Sequence, residues 1–122
     1  MLKLLVFIGL GGGLGSISRY LAQMFIYKYL PGIFPVGTFL VNVTGCLLIG
    51  FLYGLHESHS ISSEWRFFLI TGFCGGYTTF STFSYESLEL LKQGNYLYFF
   101  TYVFLSITLG LLAAALGFII AK

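Results

Sequence analysis

The chain predicts an all-α protein made of four membrane-crossing helices, and three observations predict it. Of its 122 residues, 57% are hydrophobic and only 8% are charged, with a mean hydropathy of +0.92, whereas soluble domains run near a quarter charged. There are 16 Gly against 2 Pro, a usage that suits membrane helices, whose backbones approach through small residues because lipid offers no hydrophobic drive for packing. The apolar residues also gather into four runs, each at or above the ~20 residues a helix needs to cross hydrocarbon.

The first run, residues 4–27, follows Lys3. Its opening stretch Met1 to Gly15 has the look of a signal peptide, but no soluble domain follows it, so it reads as the first span. Pro31, Gly32 and Pro35 break helices in the next connection. The second run covers 36–55 and ends at the polar stretch His56 to Glu64. A third run, 65–91, leads into a tight turn around Gly94, and the fourth covers 96–121. Residues 1–122 thus form a single transmembrane domain, with the pairs Gly9/Gly13, Gly11/Gly15, Gly50/Gly54 and Gly72/Gly76 as candidate helix contacts.

An even number of spans puts both termini on one side, so basic residues can be counted side against side. Lys3, Arg66 and Lys122 fall on one side and Lys28 and Lys92 on the other. Arg19, about 24 Å from Lys3 at ~1.5 Å per residue, joins the second group and makes the count even. The chain then has no preferred orientation and can insert both ways, giving an antiparallel dual-topology pair. Four spans are also too few to enclose a wide aqueous path. A transport function would need a subunit interface or a very small permeant.

Several functions are disfavoured. The six basic residues are scattered, so no patch tracks the phosphates of a nucleic acid. Cys46 and Cys74 lie in apolar runs and read as buried small hydrophobes, with no disulfide or metal site between them. No nucleophile, base and oxyanion donors converge in a pattern that suggests an enzyme.

Polar groups at membrane depth cost free energy and tend to mark a pathway. Here they crowd the third span, where Gly72-Phe73-Cys74-Gly75-Gly76-Tyr77-Thr78-Thr79 is weak helix material. A break there would free carbonyls to line a cavity or hold a small hard cation such as Na⁺. The alternative is a glycine-lined helix contact with hydroxyls bonded back to the preceding turn. Phe80 and Phe83 share a helical face, beside the hydroxyls of Ser81 and Thr82. Their positive ring edges would favour a dehydrated small anion, or the rings would simply pack. Thr38 and Asn42, four residues apart on the second span, offer uncharged donors, and Asn42 alternatively serves an interhelical hydrogen bond. The sequon Asn42-Val43-Thr44 lies at membrane depth and is not read as a glycosylation site. Arg19, the one basic residue inside a span, would set a positive potential at a pore mouth or snorkel to the headgroups.

Three motifs, Gly12-Gly13-Leu14-Gly15-Ser16-Ile17-Ser18-Arg19-Tyr20, Gly37-Thr38-Phe39-Leu40-Val41-Asn42-Val43-Thr44-Gly45 and Gly72-Phe73-Cys74-Gly75-Gly76-Tyr77-Thr78-Thr79-Phe80-Ser81-Thr82-Phe83-Ser84, resemble the CrcB/Fluc family of fluoride channels, in the right order and over the whole chain. The resemblance implies passive export of fluoride across the plasma (inner) membrane through two narrow pores of an antiparallel homodimer, with a structural Na⁺ at its centre where the third helices break. It implies Gly75 and Thr78 carbonyls as Na⁺ ligands, Phe80 and Phe83 as an aromatic box, and Asn42 as a pore-lining amide. Arg19 matches a vestibule arginine, Glu86 an acidic residue near the pore end, and Tyr102 and Ser106 a polar track on the fourth helix. One turn further the track would want a hydroxyl where this chain has Gly110.

Two other readings compete. A small multidrug exporter of four helices would need an acid deep in the first span, which instead carries Arg19. A non-transporting membrane scaffold would explain the glycines but not the hydroxyls clustered after them.

Overall fold

A computed structural model describes residues 1–122. It contains helices and no strands. Helix α1 spans Leu2–Tyr29, α2 Val36–Glu57, and α6 Tyr96–Ala121. These three are long and apolar enough to cross a membrane. The region between α2 and α6 is assembled from shorter pieces: α3 Ser63–Arg66, a π-helical stretch Phe67–Cys74, α4 Gly75–Tyr77, and α5 Phe80–Lys92.

The ends of these pieces have local causes. Ser62 caps α3, its Oγ accepting from the Trp65 N–H at 3.4 Å, and Glu64 in the first turn suits the positive end of the helix dipole. Helix α5 ends in a Schellman turn: the Gly94 N–H donates to Leu91 O and the Asn95 N–H to Leu90 O, with Gly94 at φ +77°. The same pattern ends α2, where the Ser60 and His59 N–H groups bond to the Leu55 and His56 carbonyls. There His59 holds φ 58° without the freedom of a glycine. Between α4 and α5 the backbone of Thr78 (φ −83°, ψ 157°) and Thr79 (φ −147°, ψ 120°) is extended.

Glycines set how the pieces pack. A Cβ on Gly11 would collide with the Phe68 carbonyl, on Gly15 with the Phe73 carbonyl, and on Gly76 with the Gly12 carbonyl. Helix α1 therefore runs parallel to Phe67–Tyr77 at backbone contact. Gly50 likewise rests against Ala114, Gly54 against Phe118 and Ala121, and Gly117 against Leu47, which pairs α2 in parallel with α6. Three of the four glycine pairs are thus contacts within the chain. Gly9 and Gly13 face open space.

The interior is thin. Only 19 of 122 residues are buried, among them Val41, Leu52, Ile70, Cys74, Leu90 and Tyr102, while leucines, isoleucines and aromatics cover the outside. Backbone groups are satisfied within helices, so such an apolar exterior suits lipid or a second apolar surface rather than water.

Candidate functional site

The extended pair Thr78-Thr79 organises the site. Asn42 on α2 grips the backbone of Thr79 from both sides: the Thr79 N–H donates to Asn42 Oδ1 at 2.9 Å, and Asn42 Nδ2 donates to Thr79 O at 3.1 Å. Thr79 then starts α5 as its N-cap, its Oγ1 accepting from the Thr82 N–H at 3.2 Å. Its hydroxyl also donates to Thr82 Oγ1 at 3.2 Å and lies 3.3 Å from Ser81 Oγ.

These bonds have a consequence four residues back. In a continuous helix the Thr79 N–H would bond to the Gly75 carbonyl, and the Thr82 N–H to that of Thr78. Asn42 takes the first donor and the Thr79 hydroxyl the second, so both carbonyls lose their helical partners. Gly75 is exposed and nothing in the chain approaches the place of its Cβ. Carbonyls freed from a helix are the donor set a hard monovalent cation takes, so these residues fit the Na⁺ expected from the sequence.

Beside the extended pair lies a cavity of about 320 Å³, lined by Asn42, Cys46, Ile49, Thr78, Thr79, Phe80, Phe83, Ser106 and Ile107. The Phe80 and Phe83 rings are 5.9 Å apart at 40°, and Phe83 is 5.0 Å from the Tyr102 ring. Phe80 is 79% exposed, so one wall of the cavity opens on the surface of the chain. Asn42 still has an amide hydrogen beyond the one given to Thr79, and Ser106 Oγ has no hydrogen-bond partner. The lining contains no acidic side chain.

Of the residues singled out from sequence, Asn42, Thr78, Phe80, Phe83 and Ser106 meet in this cavity. Thr38 does not: it is enclosed beneath α1, its hydroxyl accepting from Gln23 Nε2 at 3.0 Å. Ser81 and Thr82 stand behind the Thr79 cap rather than in the lining. Tyr102 is fully buried and donates to Glu86 Oε1 at 3.1 Å, at the next level of the bundle. Glu86 borders a separate small cleft with Tyr27, Glu89 and Gln93. Arg19 is half-buried on α1, with its Nε enclosed and unpartnered. Sequence reasoning missed Cys46, Ile49, Thr79 and Ile107 as lining residues; Thr79 was read only as part of the weak helical stretch, and the one signal for Cys46 was that it lies a turn beyond Asn42.

Comparison with known proteins identifies the family. Residues 6–118 match the family described as CrcB-like protein, Camphor Resistance (CrcB). The chain is 51% identical over 122 residues to the Fluoride-specific ion channel FluC of Flavobacterium psychrophilum, covering 99% of this chain and 98% of that one. It is 52% identical over 119 residues to the protein of the same name from Bacteroides fragilis, covering 95% and 94%. It is 45% identical over 122 residues to that from Pyrococcus abyssi, covering 99% and 98%.

Proposed function

The chain belongs to the CrcB-like protein family, and from that premise we propose that it is a fluoride-selective channel through which fluoride leaves the cell passively. It is a multi-pass integral membrane protein of the plasma membrane. The observation that carries the reading is one cavity in which a pair of phenylalanine rings, a spare amide hydrogen and an unpartnered hydroxyl converge with no acid among them.

Fluoride is small and strongly hydrated, so a path that accepts it must replace lost water with donors. Asn42 and Ser106 offer N–H and O–H donors, and the positive edges of Phe80 and Phe83 extend that environment without adding a charge. Tyr102 continues the polar line on α6, with Thr38, Ser81 and Thr82 supporting the donor-bearing residues. Arg19 and Glu86 frame the vestibule, where the guanidinium attracts anions before they are stripped of water.

The assembly is an antiparallel homodimer in lipid with two pores. Its support is the even distribution of basic residues, the cavity left open on one side, and the exposure of Phe80 and Gly75. A second copy related by a twofold axis would close both cavities at once. In this reading the third membrane helix is broken at Thr78-Thr79, and the Gly75 and Thr78 carbonyls of the two copies hold Na⁺ at the centre. The bound cation supplies positive charge that offsets the burial of an anion nearby. A cation exporter would need an acid where this cavity has none.

The test is efflux from liposomes loaded with fluoride, followed with a fluoride electrode after a K⁺ ionophore is added, and repeated with chloride and with Phe80→Ile. Rapid fluoride loss with little chloride movement, abolished in the variant, is expected. Folded dimers that carry no fluoride would overturn the reading and bring the exporter forward.

A further inference from the structure

We propose that the Cys46 thiol forms part of the wall of the ion path, one turn beyond Asn42 and Ser106, so that a small thiol-directed reagent entering the path closes it. The proposal rests on the channel reading above and adds a residue that the sequence had assigned to plain packing.

The parallel packing of α2 on α6 places it. The Cβ position of Gly50 meets the Ala114 backbone, and that of Gly110 lies 3.5 Å from Cys46 Sγ. The two contacts have the same offset in sequence, so α2 and α6 are in register and each step of four residues climbs one turn on both. Carried down, the register pairs Asn42 with Ser106, which line the cavity together, and then Thr38 with Tyr102. On this ladder α6 offers a phenol at 102, a hydroxyl at 106 and nothing at 110. At that last level the polar atom comes from the opposite helix, the sulfur lying in van der Waals range of the place where a side chain at Gly110 would begin.

Three further observations support an accessible thiol. Cys46 lines the cavity itself and is only half-buried, whereas the other free cysteine, Cys74, is 1% exposed. Ser106, one level below, has a hydroxyl without a partner, so at that level a polar group remains free to face the cavity. Ile49 and Ile107 add only apolar surface to the same lining, so beyond the hydroxyls and the Asn42 amide the S–H, a weak donor, is the remaining polar side-chain group in it.

The experiment applies methyl methanethiosulfonate to wild type, Cys46→Ser and Cys74→Ser in fluoride-loaded liposomes, each compared with its own untreated rate. The cysteine sulfur displaces methanesulfinate from the reagent: an S–S bond to the S-methyl group forms, the S–SO₂ bond breaks, and the thiol proton passes to water. The expected result is a loss of fluoride flux of about tenfold or more, equivalent to ~1.4 kcal/mol on the barrier, in wild type and Cys74→Ser, reversed by dithiothreitol. Cys46→Ser should keep its own rate under treatment. Peptide mass analysis of the same samples should find the added methylthio group on Cys46 and not on Cys74, a readout that does not depend on flux. Cys46 left unmodified, modification without loss of flux, or a sensitive Cys46→Ser would each overturn the proposal. An untreated wild type that carries no fluoride would instead overturn the channel reading.

Discussion

Asn42 and Thr79, 37 residues apart, exchange two hydrogen bonds of 2.9 and 3.1 Å, the side-chain amide standing in for a neighbouring strand. Thr79 is buried at 8% exposure, so Asn42→Ala would leave its N–H and C=O without partners, at ~1–3 kcal/mol for each group that finds no other. The variant is expected to melt several degrees lower in detergent and to lose fluoride flux. Asn42→Asp keeps the acceptor for the N–H but loses the donor to the carbonyl and adds negative charge to the path, so it should conduct no better than Asn42→Ala. Wild-type melting and flux in both variants would show that the clamp is dispensable.

The glycines separate into two kinds that substitution can tell apart. Gly50 lies against the Ala114 backbone, where an added methyl has nowhere to go, while Gly9 faces open space. Gly50→Ala should cost ~1–3 kcal/mol or more through forced separation of α2 and α6. Gly9→Ala should be neutral or gain up to ~1 kcal/mol from helix propensity. Denaturation in mixed micelles measures both, and equal stabilities would contradict the packing described here.

Much of the fold was legible in the sequence, because a helix in lipid must satisfy its own backbone and therefore announces itself as a long apolar run. Helices α1, α2 and α6 follow from that rule. The π-helical stretch Phe67–Cys74 does not, since FFLITGFC is equally compatible with regular α-helix; it lies where the chain meets α1 at backbone contact. The spacing of Thr38 and Asn42 placed both on one face, but Gln23 covers the Thr38 end, a contact set by tertiary packing. Cys46 looked like a buried hydrophobe because its surroundings in sequence are apolar. Its place in the cavity follows from the packing of α2 on another helix, α6, where Gly110 faces it.

Tyr102 combines a packing role with a polar one. Its ring lies 5.5 Å from Phe34 and 5.0 Å from Phe83, and its hydroxyl donates to Glu86 at 3.1 Å. Tyr102→Phe keeps both ring contacts and removes only the donor, so folding should survive with a loss of ~1–3 kcal/mol. If Tyr102 belongs to the proposed polar line on α6, fluoride flux should fall by more than that stability change explains. Unchanged flux would remove Tyr102 from the path and leave it as packing.

The proposed central cation and the Asn42 clamp make a joint prediction. A ligand that binds only the folded dimer stabilises it by an amount that grows with its concentration, ~2.7 kcal/mol at a hundred times its dissociation constant. The proposed dimer should therefore melt higher in Na⁺ than in N-methylglucamine at equal ionic strength. The Gly75 carbonyl is available to a cation because Asn42 holds the Thr79 N–H away from it. In Asn42→Ala that N–H is free to return to its helical acceptor, which would close the turn and withdraw a ligand. The Na⁺-dependent rise in melting temperature should then shrink or vanish in Asn42→Ala, while persisting in Gly9→Ala. An equal rise in all three proteins would place the cation, if one binds, somewhere other than at these carbonyls.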